Sequence, residues 1–183
     1  MADVKNPVEG EVVDGDEILF VISQARAKTL GGGVVGTVMS NLGLEIAINK
    51  LGMNFLRAQV GDRYVLEMLN KDNLKLGGES SGHIINLGMT TTGDGIISAL
   101  QVLDAMVDSE KTLYDLKSGM EKYPQTMINV KIDKNVDLSK MTNLQEAMRT
   151  AESELGDKGR ILLRPSGTEP LVRVMVEGEI ETQ

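Results

Sequence analysis

The chain has 183 residues, of which 41% are hydrophobic and 25% charged, as expected for one large or two small globular domains. The 27 acidic and 19 basic residues give a net charge of −8, which argues against a nucleic-acid partner because such binders present a basic face. The absence of cysteine excludes disulfides, thiolate nucleophiles and cysteine-based zinc sites. With a polar N-terminus and no apolar run near the roughly 20 residues of a membrane span, we expect a cytoplasmic protein without a membrane partner.

Short apolar runs alternate with amphipathic segments in the first part of the chain. The predicted elements are a helix capped by Asp14 and Glu17, a strand over 34–39, a helix after Asn41, a strand over 54–60, a helix over 64–70 and a strand over 74–78. This alternation predicts an α/β three-layer domain with a mainly parallel sheet. Ligands of such sheets lie beyond the carboxyl ends of the strands, where the loops 40–41, 61–63 and 79–83 fall.

Two further helices are predicted over 95–107 and 112–120. Pro124 ends the helical pattern, and the sequence pattern changes after it. The later pattern predicts a half-buried strand over 126–132, an amphipathic helix over 143–155, and strands over 160–164 and 171–177. We therefore predict an α/β domain over 1–122, a hinge over 123–125 and a smaller α+β domain over 126–183.

The loop between the last two strands has the residues of an anion site. The polar residues in and around this loop, together with its glycine, are Arg164, Ser166, Gly167, Thr168 and Arg173. Guanidinium groups bind phosphate oxygens in pairs, hydroxyl groups add neutral donors, and a glycine lets backbone N–H groups approach an anion. These residue types are also common in ordinary hairpin loops, so phosphate binding and a plain turn are both open interpretations.

A second polar loop, 79–83, follows the strand at 74–78. Glu79 and Ser81 lie two positions apart, so in an extended loop they point the same way and suit adjacent sugar hydroxyls. His83 is the only histidine of the chain. It is either a structural residue or a general acid or base.

Three shorter motifs each have two interpretations. The segment 90–95 either cradles a ligand at a helix N-terminus or is a helix cap with Asp94 in the first turn. Asp14 and Asp16 either bind a divalent cation or cap the first helix. Arg63 lies either at the mouth of a site or in a surface ion pair.

Five segments, taken together and in this order, resemble the α-D-phosphohexomutase superfamily and most closely its phosphoglucosamine mutase branch. They are VGTVMSN at 35–41, VGDRYVLE at 60–67, GGESSGH at 77–83, TTTGDG at 90–95 and RPSGTEPLVRVMVEG at 164–178. The resemblance covers nearly the whole chain and is specific because several motifs carry it jointly.

Members of that family have four domains around a cleft. The resemblance implies interconversion of glucosamine 6-phosphate and glucosamine 1-phosphate, on the route to UDP-N-acetylglucosamine and the bacterial cell wall. It further implies a phosphoserine donor, Mg²⁺ in a DGDGDR loop and glucosamine 1,6-bisphosphate as the intermediate. Glu79 and Ser81 would hold sugar hydroxyls, and His83 would be a candidate for proton transfer. The residues implied to clamp the phosphate that does not react are Arg164, Ser166, Gly167, Thr168 and Arg173.

Two features of the family have no counterpart in the sequence, the serine loop and the DGDGDR loop. We therefore expect a chain that starts after the metal loop, stops short of the last helix of the fourth domain, and needs the N-terminal domains as its partner. We expect no metal site in this chain and no turnover by it in isolation. A portion of a phosphomannomutase or phosphoglucomutase, and a stand-alone phosphosugar-binding module, are the alternatives.

Overall fold

The computed structural model describes residues 4–5, 10–132, 140–166 and 169–179. Its internal contacts divide the chain into two units, Met1–Lys122 and Tyr123–Gln183. The elements of the first unit are β1 (Val4–Lys5), β2 (Val12–Val13), α1 (Gly15–Arg26), β3 (Gly33–Thr37), α2 (Leu42–Lys50), β4 (Asn54–Ala58), α3 (Asp62–Lys71), β5 (Leu76–Gly78), β6 (Ile84–Asn86), α4 (Gly95–Ser109) and α5 (Leu113–Lys117). No helix in these ranges is long and apolar enough to cross a bilayer.

The main sheet of the first unit has four strands in the order β4, β3, β5, β6. β3 pairs in parallel with both β4 and β5, whereas β6 runs antiparallel to β5. A separate pair, β1 and β2, is antiparallel. The sequence pattern did not predict β6, because a three-residue strand is too short to show a period and its pairing depends on the turn before it.

Helices cover both faces of this sheet. Val34 belongs to an apolar cluster with residues of α1, α2, α4 and α5, whereas its neighbour Val35 packs with Val65 and Leu69 of α3. Adjacent residues of a strand point to opposite faces, so both neighbours are buried only when each face is covered. The unit is therefore a three-layer α/β domain with a mainly parallel sheet, which confirms the predicted fold class.

Helix starts follow the predicted caps. The Asp14 side chain accepts hydrogen bonds from the N–H groups of Asp16 and Glu17, and the Glu17 carboxylate accepts one from the Asp14 N–H, which forms a capping box. Asn41 caps α2 through the Gly43 N–H. Asp94 is itself the cap of α4 rather than a residue of its first turn, since its side chain accepts from two of the helix N–H groups.

The second unit is a small α+β fold. Its elements are β7 (Gln125–Lys131), α6 (Thr142–Leu155), β8 (Gly159–Pro165) and β9 (Leu171–Gly178). The sheet is antiparallel, with β9 between β7 and β8. α6 packs along β8, and Val176 of β9 lines a cavity of about 380 Å³ together with Ala151 and Leu155 of that helix.

Two predictions about elements were wrong in detail. β7 is exposed along its whole length rather than half-buried, because it is an edge strand and α6 packs along the opposite edge of the sheet. α5 ends at Lys117 instead of continuing to 120, because the chain turns there and buries Met120 in the core.

Candidate functional site

The polar loop after β5 is a tight reverse turn and not the extended loop predicted. The Glu79 N–H donates to the His83 carbonyl at 3.1 Å, and the Gly82 N–H donates to the Glu79 carbonyl at 3.0 Å. Gly82 has a φ of +89°, a conformation that favours glycine. The alternation argument for Glu79 and Ser81 therefore fails. Glu79 is half-buried in the turn and Ser81 is exposed.

The Glu79 carboxylate links two of the loops that follow parallel strands. Its Oε1 accepts a hydrogen bond of 2.9 Å from the Gly61 N–H, at the residue before α3. No residue in the described part of the chain donates to its other oxygen, Oε2. The geometry thus fixes the orientation of the carboxylate and leaves one acceptor for a ligand hydroxyl.

The His83 imidazole brings the turn together with the segment 90–95. A Cβ atom on Gly93 would lie 2.3 Å from Nε2 of His83, so any other residue at that position would require the imidazole ring to move. Nε2 also lies 3.6 Å from the Asp62 Oδ2, which forms an ion pair only when the imidazole is protonated. Within the described ranges Nε2 is buried without a hydrogen-bond partner. A buried ring nitrogen normally has such a partner, so the described residues leave this one unsatisfied.

Gly15 allows the start of the first helix to pack closely against the turn 79–83. Its N–H donates to the Ser80 carbonyl at 2.9 Å, and an added Cβ would lie 2.1 Å from the Glu79 carbonyl oxygen. The N-terminus of α1 is therefore packed directly against the turn that carries Glu79. The sequence analysis considered capping and cation binding for the segment 14–16 and did not detect this close approach.

Asp16, which the sequence analysis treated as a cation ligand or helix cap, has a contact that the sequence analysis did not predict. Its side chain is 2% exposed, and its Oδ2 accepts a 2.8 Å hydrogen bond from the Asn41 N–H in the loop after β3. Burial is the main reason that its pKa is raised to about 6, with a smaller contribution from the negative charge of Asp14. Hydrogen bonds from Asn41 and Ser40 oppose that shift. Asp16 thus ties α1 to the loop 40–41.

Arg57 also forms hydrogen bonds with the loop after β3. Its Nη1 donates to the carbonyl oxygens of Thr37 and Ser40 at 3.0 and 2.7 Å, while Nε donates to the Glu45 carboxylate at 2.9 Å. Arg63, by contrast, forms an exposed pair with Glu67 four residues on, which supports the surface-pair interpretation.

No metal centre is formed by the residues that the structure describes. Among residues 10–132, 140–166 and 169–179, no group of three or more histidine or acidic side chains could hold a metal ion. The Asp14 carboxylate instead caps α1 and pairs with Lys122 at 2.6 Å, and Asp16 is hydrogen-bonded to Asn41. The capping interpretation is therefore confirmed for Asp14.

In the second unit, the two arginines of the predicted anion site are direct neighbours. Arg164 of β8 pairs in register with Arg173 of β9, so both side chains leave the same face of the sheet. Like charges at such positions repel each other unless an anion lies between them. The Nε of Arg173 is buried, and no described residue accepts a hydrogen bond from it.

Another arginine of the same sheet face shows how this fold neutralises such a charge. Arg160 of β8 pairs in register with Glu177 of β9 and forms an ion pair with that fully buried carboxylate. Gln125 of β7 donates to the same carboxylate. No described carboxylate lies within ion-pair distance of Arg164 or Arg173, so these two positive charges are not balanced by the parts of the chain that the structure describes.

The loop between these arginines is described in part. The Ser166 N–H donates to the Leu171 carbonyl at 2.9 Å, and its hydroxyl accepts from the Glu169 N–H at 3.3 Å. Gly167 and Thr168, which the sequence analysis placed in the phosphate clamp, lie outside the described residues. The arginine pair and the half-buried Ser166 together form a polar, positively charged end of the second unit.

Residues 14–123 match the family model of phosphoglucomutase/phosphomannomutase α/β/α domain III, and residues 127–183 match that of the C-terminal domain. The chain belongs to the phosphoglucomutase/phosphomannomutase family.

Curated relatives with high sequence identity to this chain are phosphoglucosamine mutases. The chain is 61% identical over 171 residues to the phosphoglucosamine mutase of Nitrosococcus oceani, a match that covers 92% of this chain and 38% of the relative. It is also 61% identical over 176 residues to the phosphoglucosamine mutase of Methylococcus capsulatus, covering 95% of this chain and 39% of the relative. The chain thus spans about two fifths of the length of the curated relatives that it matches.

Solved structures confirm the fold at low sequence identity. The N-acetylphosphoglucosamine mutase of Aspergillus fumigatus, in complex with GlcNAc-6P and magnesium, superimposes with a TM-score of 0.75 at 21% identity, covering 94% of this chain and 44% of that one. An N-acetylglucosamine-phosphate mutase in its product complex gives a TM-score of 0.76 at 19% identity, covering 98% of this chain and 43% of that one.

Proposed function

We propose that this chain is the sugar- and phosphate-binding part of a phosphoglucosamine mutase, which interconverts glucosamine 6-phosphate and glucosamine 1-phosphate. The observation that carries the proposal is the arginine pair of the second unit, Arg164 opposite Arg173 without a carboxylate from the described residues. An arginine pair of this kind provides forked donors that match the oxygens of a phosphate group. The identity to phosphoglucosamine mutases supports the choice of sugar.

In the first unit, we assign sugar recognition to the turn 79–83. The fixed Glu79 carboxylate accepts a hydrogen bond from a sugar hydroxyl, and the exposed Ser81 hydroxyl provides a second polar contact. A sugar that lacks these hydroxyls leaves the carboxylate unpaired, which lowers its affinity. His83 is the candidate for proton transfer at the reacting hydroxyl, since its Nε2 is held near Asp62 without another partner among the described residues.

In the second unit, we assign binding of the phosphate that does not react to the loop after β8. Arg164 and Arg173 supply guanidinium groups, and Ser166, Gly167 and Thr168 supply neutral donors from the loop. A reaction that moves a phosphoryl group between two ends of one sugar has to bind either end at this site. A site made of forked cationic donors suits that task because it recognises the phosphate rather than the rest of the sugar.

The phosphoryl-transfer step needs groups that we assign to the part of the phosphoglucosamine mutases that this chain does not cover. A phosphoserine donor and a magnesium site are expected there, because the described residues provide no metal centre and the sequence has no serine loop. We therefore expect no turnover of glucosamine 6-phosphate by the chain alone. Phosphorus NMR would detect any glucosamine 1-phosphate formed. Its formation by the pure chain would contradict the assignment of the transfer groups to another part of the enzyme.

Binding of phosphosugar to the isolated chain tests the proposal directly. Ligand-observed NMR should show binding of glucosamine 6-phosphate but weaker binding of glucosamine, which lacks the phosphate. Arg164→Ala should weaken binding of the phosphosugar by about tenfold or more, because a charged hydrogen bond contributes about 1.5–3 kcal/mol. Lys158→Ala is the matched control, since Lys158 is exposed and pairs with Glu179 at 3.2 Å. Equal effects of the two substitutions would contradict the proposal.

A further inference from the structure

We propose that strand β7 contributes to the phosphate site, with the amide of Asn129 and the ammonium group of Lys131 binding the same anion as Arg164 and Arg173. The inference rests on the proposed phosphate role of the two arginines. It extends the site from a single loop to all three strands of the sheet. The ligand class is a phosphomonoester dianion.

The strand register places these side chains together. Arg173 of β9 pairs with Arg164 on one side and with Asn129 of β7 on the other. Directly paired residues share a face of the sheet, with Cβ atoms about 4.5–5.5 Å apart. Lys131 lies two residues beyond Asn129 and pairs with Leu171, so it extends from the same face toward the loop.

The other face of the sheet has a different role. Val176 of β9 lies an odd number of residues from Arg173 and therefore points to the opposite face, where it lines the same cavity as Ala151 and Leu155 of α6. Helix α6 therefore does not cover the face that carries Arg173 and Asn129. Asn129 and Lys131 are exposed, as is the rest of β7.

On the face with Arg173, each row of three residues paired across β7, β9 and β8 has its own net charge. The row of Gln125, Glu177 and Arg160 contains an acid that balances its arginine. The row of Asn129, Arg173 and Arg164 contains two arginines and no acid, and Lys131 beside it has no described carboxylate within ion-pair distance. Three neighbouring cations on a chain of net charge −8 repel one another, and a bound dianion removes that repulsion.

The two residues of β7 differ in what they offer. The Asn129 amide is a neutral donor beside Arg173, and it can donate to a phosphate oxygen that the guanidinium groups leave free. Lys131 is a point charge on a long flexible stem, so its contribution is electrostatic and weakens at high salt. Asn129 should therefore affect affinity at all salt concentrations and Lys131 mainly at low salt.

Titration of the full 183-residue chain with inorganic phosphate, followed by amide NMR, tests the inference. Asn129→Leu keeps a strand-compatible side chain of similar size but removes the donor, and it should weaken phosphate binding by about tenfold. Lys131→Gln should weaken it by about threefold at low salt, with the difference disappearing at high salt. Thr126→Val, on the α6 face of the same strand, is the matched control and should leave the affinity unchanged.

The outcomes separate this inference from the function on which it rests. If Asn129→Leu and Lys131→Gln each change the affinity by less than about twofold while Arg164→Ala abolishes binding, β7 is not part of the site and the proposed function stands. If the unsubstituted chain does not bind phosphate, both are wrong. If Asn129→Leu perturbs folding, Asn129→Ala supplies the same test, since it removes the amide donor without adding a large apolar side chain and should also weaken binding by about tenfold.

Discussion

At the scale of single residues, the site of the first unit depends on close approaches that no local pattern encodes. Gly15 touches the turn at Glu79, and Gly93 touches the ring of His83. The residue types of the site, Glu79 and His83 among them, could be predicted because polar groups cluster in one loop. Their partners could not, because each is set by an element distant in sequence.

Gly93→Ala tests the contact with His83. The added Cβ would lie 2.3 Å from Nε2, so the imidazole has to move. We expect a changed chemical shift of the His83 ring protons and a loss of about 1–3 kcal/mol in the free energy of unfolding. Gly178→Ala is the control, because its added Cβ would meet nothing closer than 3.8 Å. An unchanged imidazole spectrum in Gly93→Ala would show that the ring lies elsewhere.

Asp16 predicts a specific pH dependence of stability. Its pKa in the folded chain is raised to about 6, above the ordinary value of 3.8, so the folded state binds the proton more tightly than the unfolded state. The stability from this group is complete below about pH 4 and is lost as the pH rises through 6. The shift corresponds to a free energy on the order of 3 kcal/mol.

Asp16→Asn should remove this pH dependence, since asparagine stays neutral and can still accept the hydrogen bond from Asn41. We expect the stability of the variant relative to the native chain to rise between pH 4 and pH 7. Urea unfolding followed by probes in the first unit, at both pH values, measures the difference. The same relative stability at both values would contradict the burial of an ionisable carboxylate at this position.

At the scale of elements, the sequence predicted what depends on local chemistry. The starts of α1 and α2 were recognised because a short polar side chain before an apolar period is a common N-terminal cap, whereas Asp94 of α4 was placed one position too far into its helix. The antiparallel β6 was missed and the burial of β7 was wrong, because both depend on which element packs beside the strand. Propensity and period carry no information on that neighbour.

Helix α4 has two apolar faces with opposite environments. Val102 and Ala105 are buried against the rest of the first unit, whereas Ile96, Leu100 and Leu103 are more than half exposed. Leu103→Ala should therefore change the free energy of unfolding by less than about 0.5 kcal/mol. Leu44→Ala, at a fully buried leucine of α2, should cost about 2–5 kcal/mol. Similar costs for the two substitutions, measured by chemical denaturation, would show that another surface covers α4.

At the scale of the whole molecule, the chain combines two units with different sheets and different chemistry. The change at Pro124 was visible in the sequence, and the contacts of the structure separate 1–122 from 123–183. A hinge at 123–125 stays a prediction. The first unit offers a carboxylate and a histidine from a tight turn, and the second offers arginines without acidic partners in the described ranges. This contrast is the basis for assigning the sugar to one unit and the phosphate to the other.

Amide NMR of the chain with glucosamine 6-phosphate, compared with the Arg164→Ala variant, tests this account most directly. We expect shifts at 164–173 and in the turn 79–83, with the shifts at 164–173 absent in the variant. Shifts confined to other parts of the chain, or no shifts at about 10 mM ligand, where even a complex with millimolar affinity is largely formed, would contradict the account.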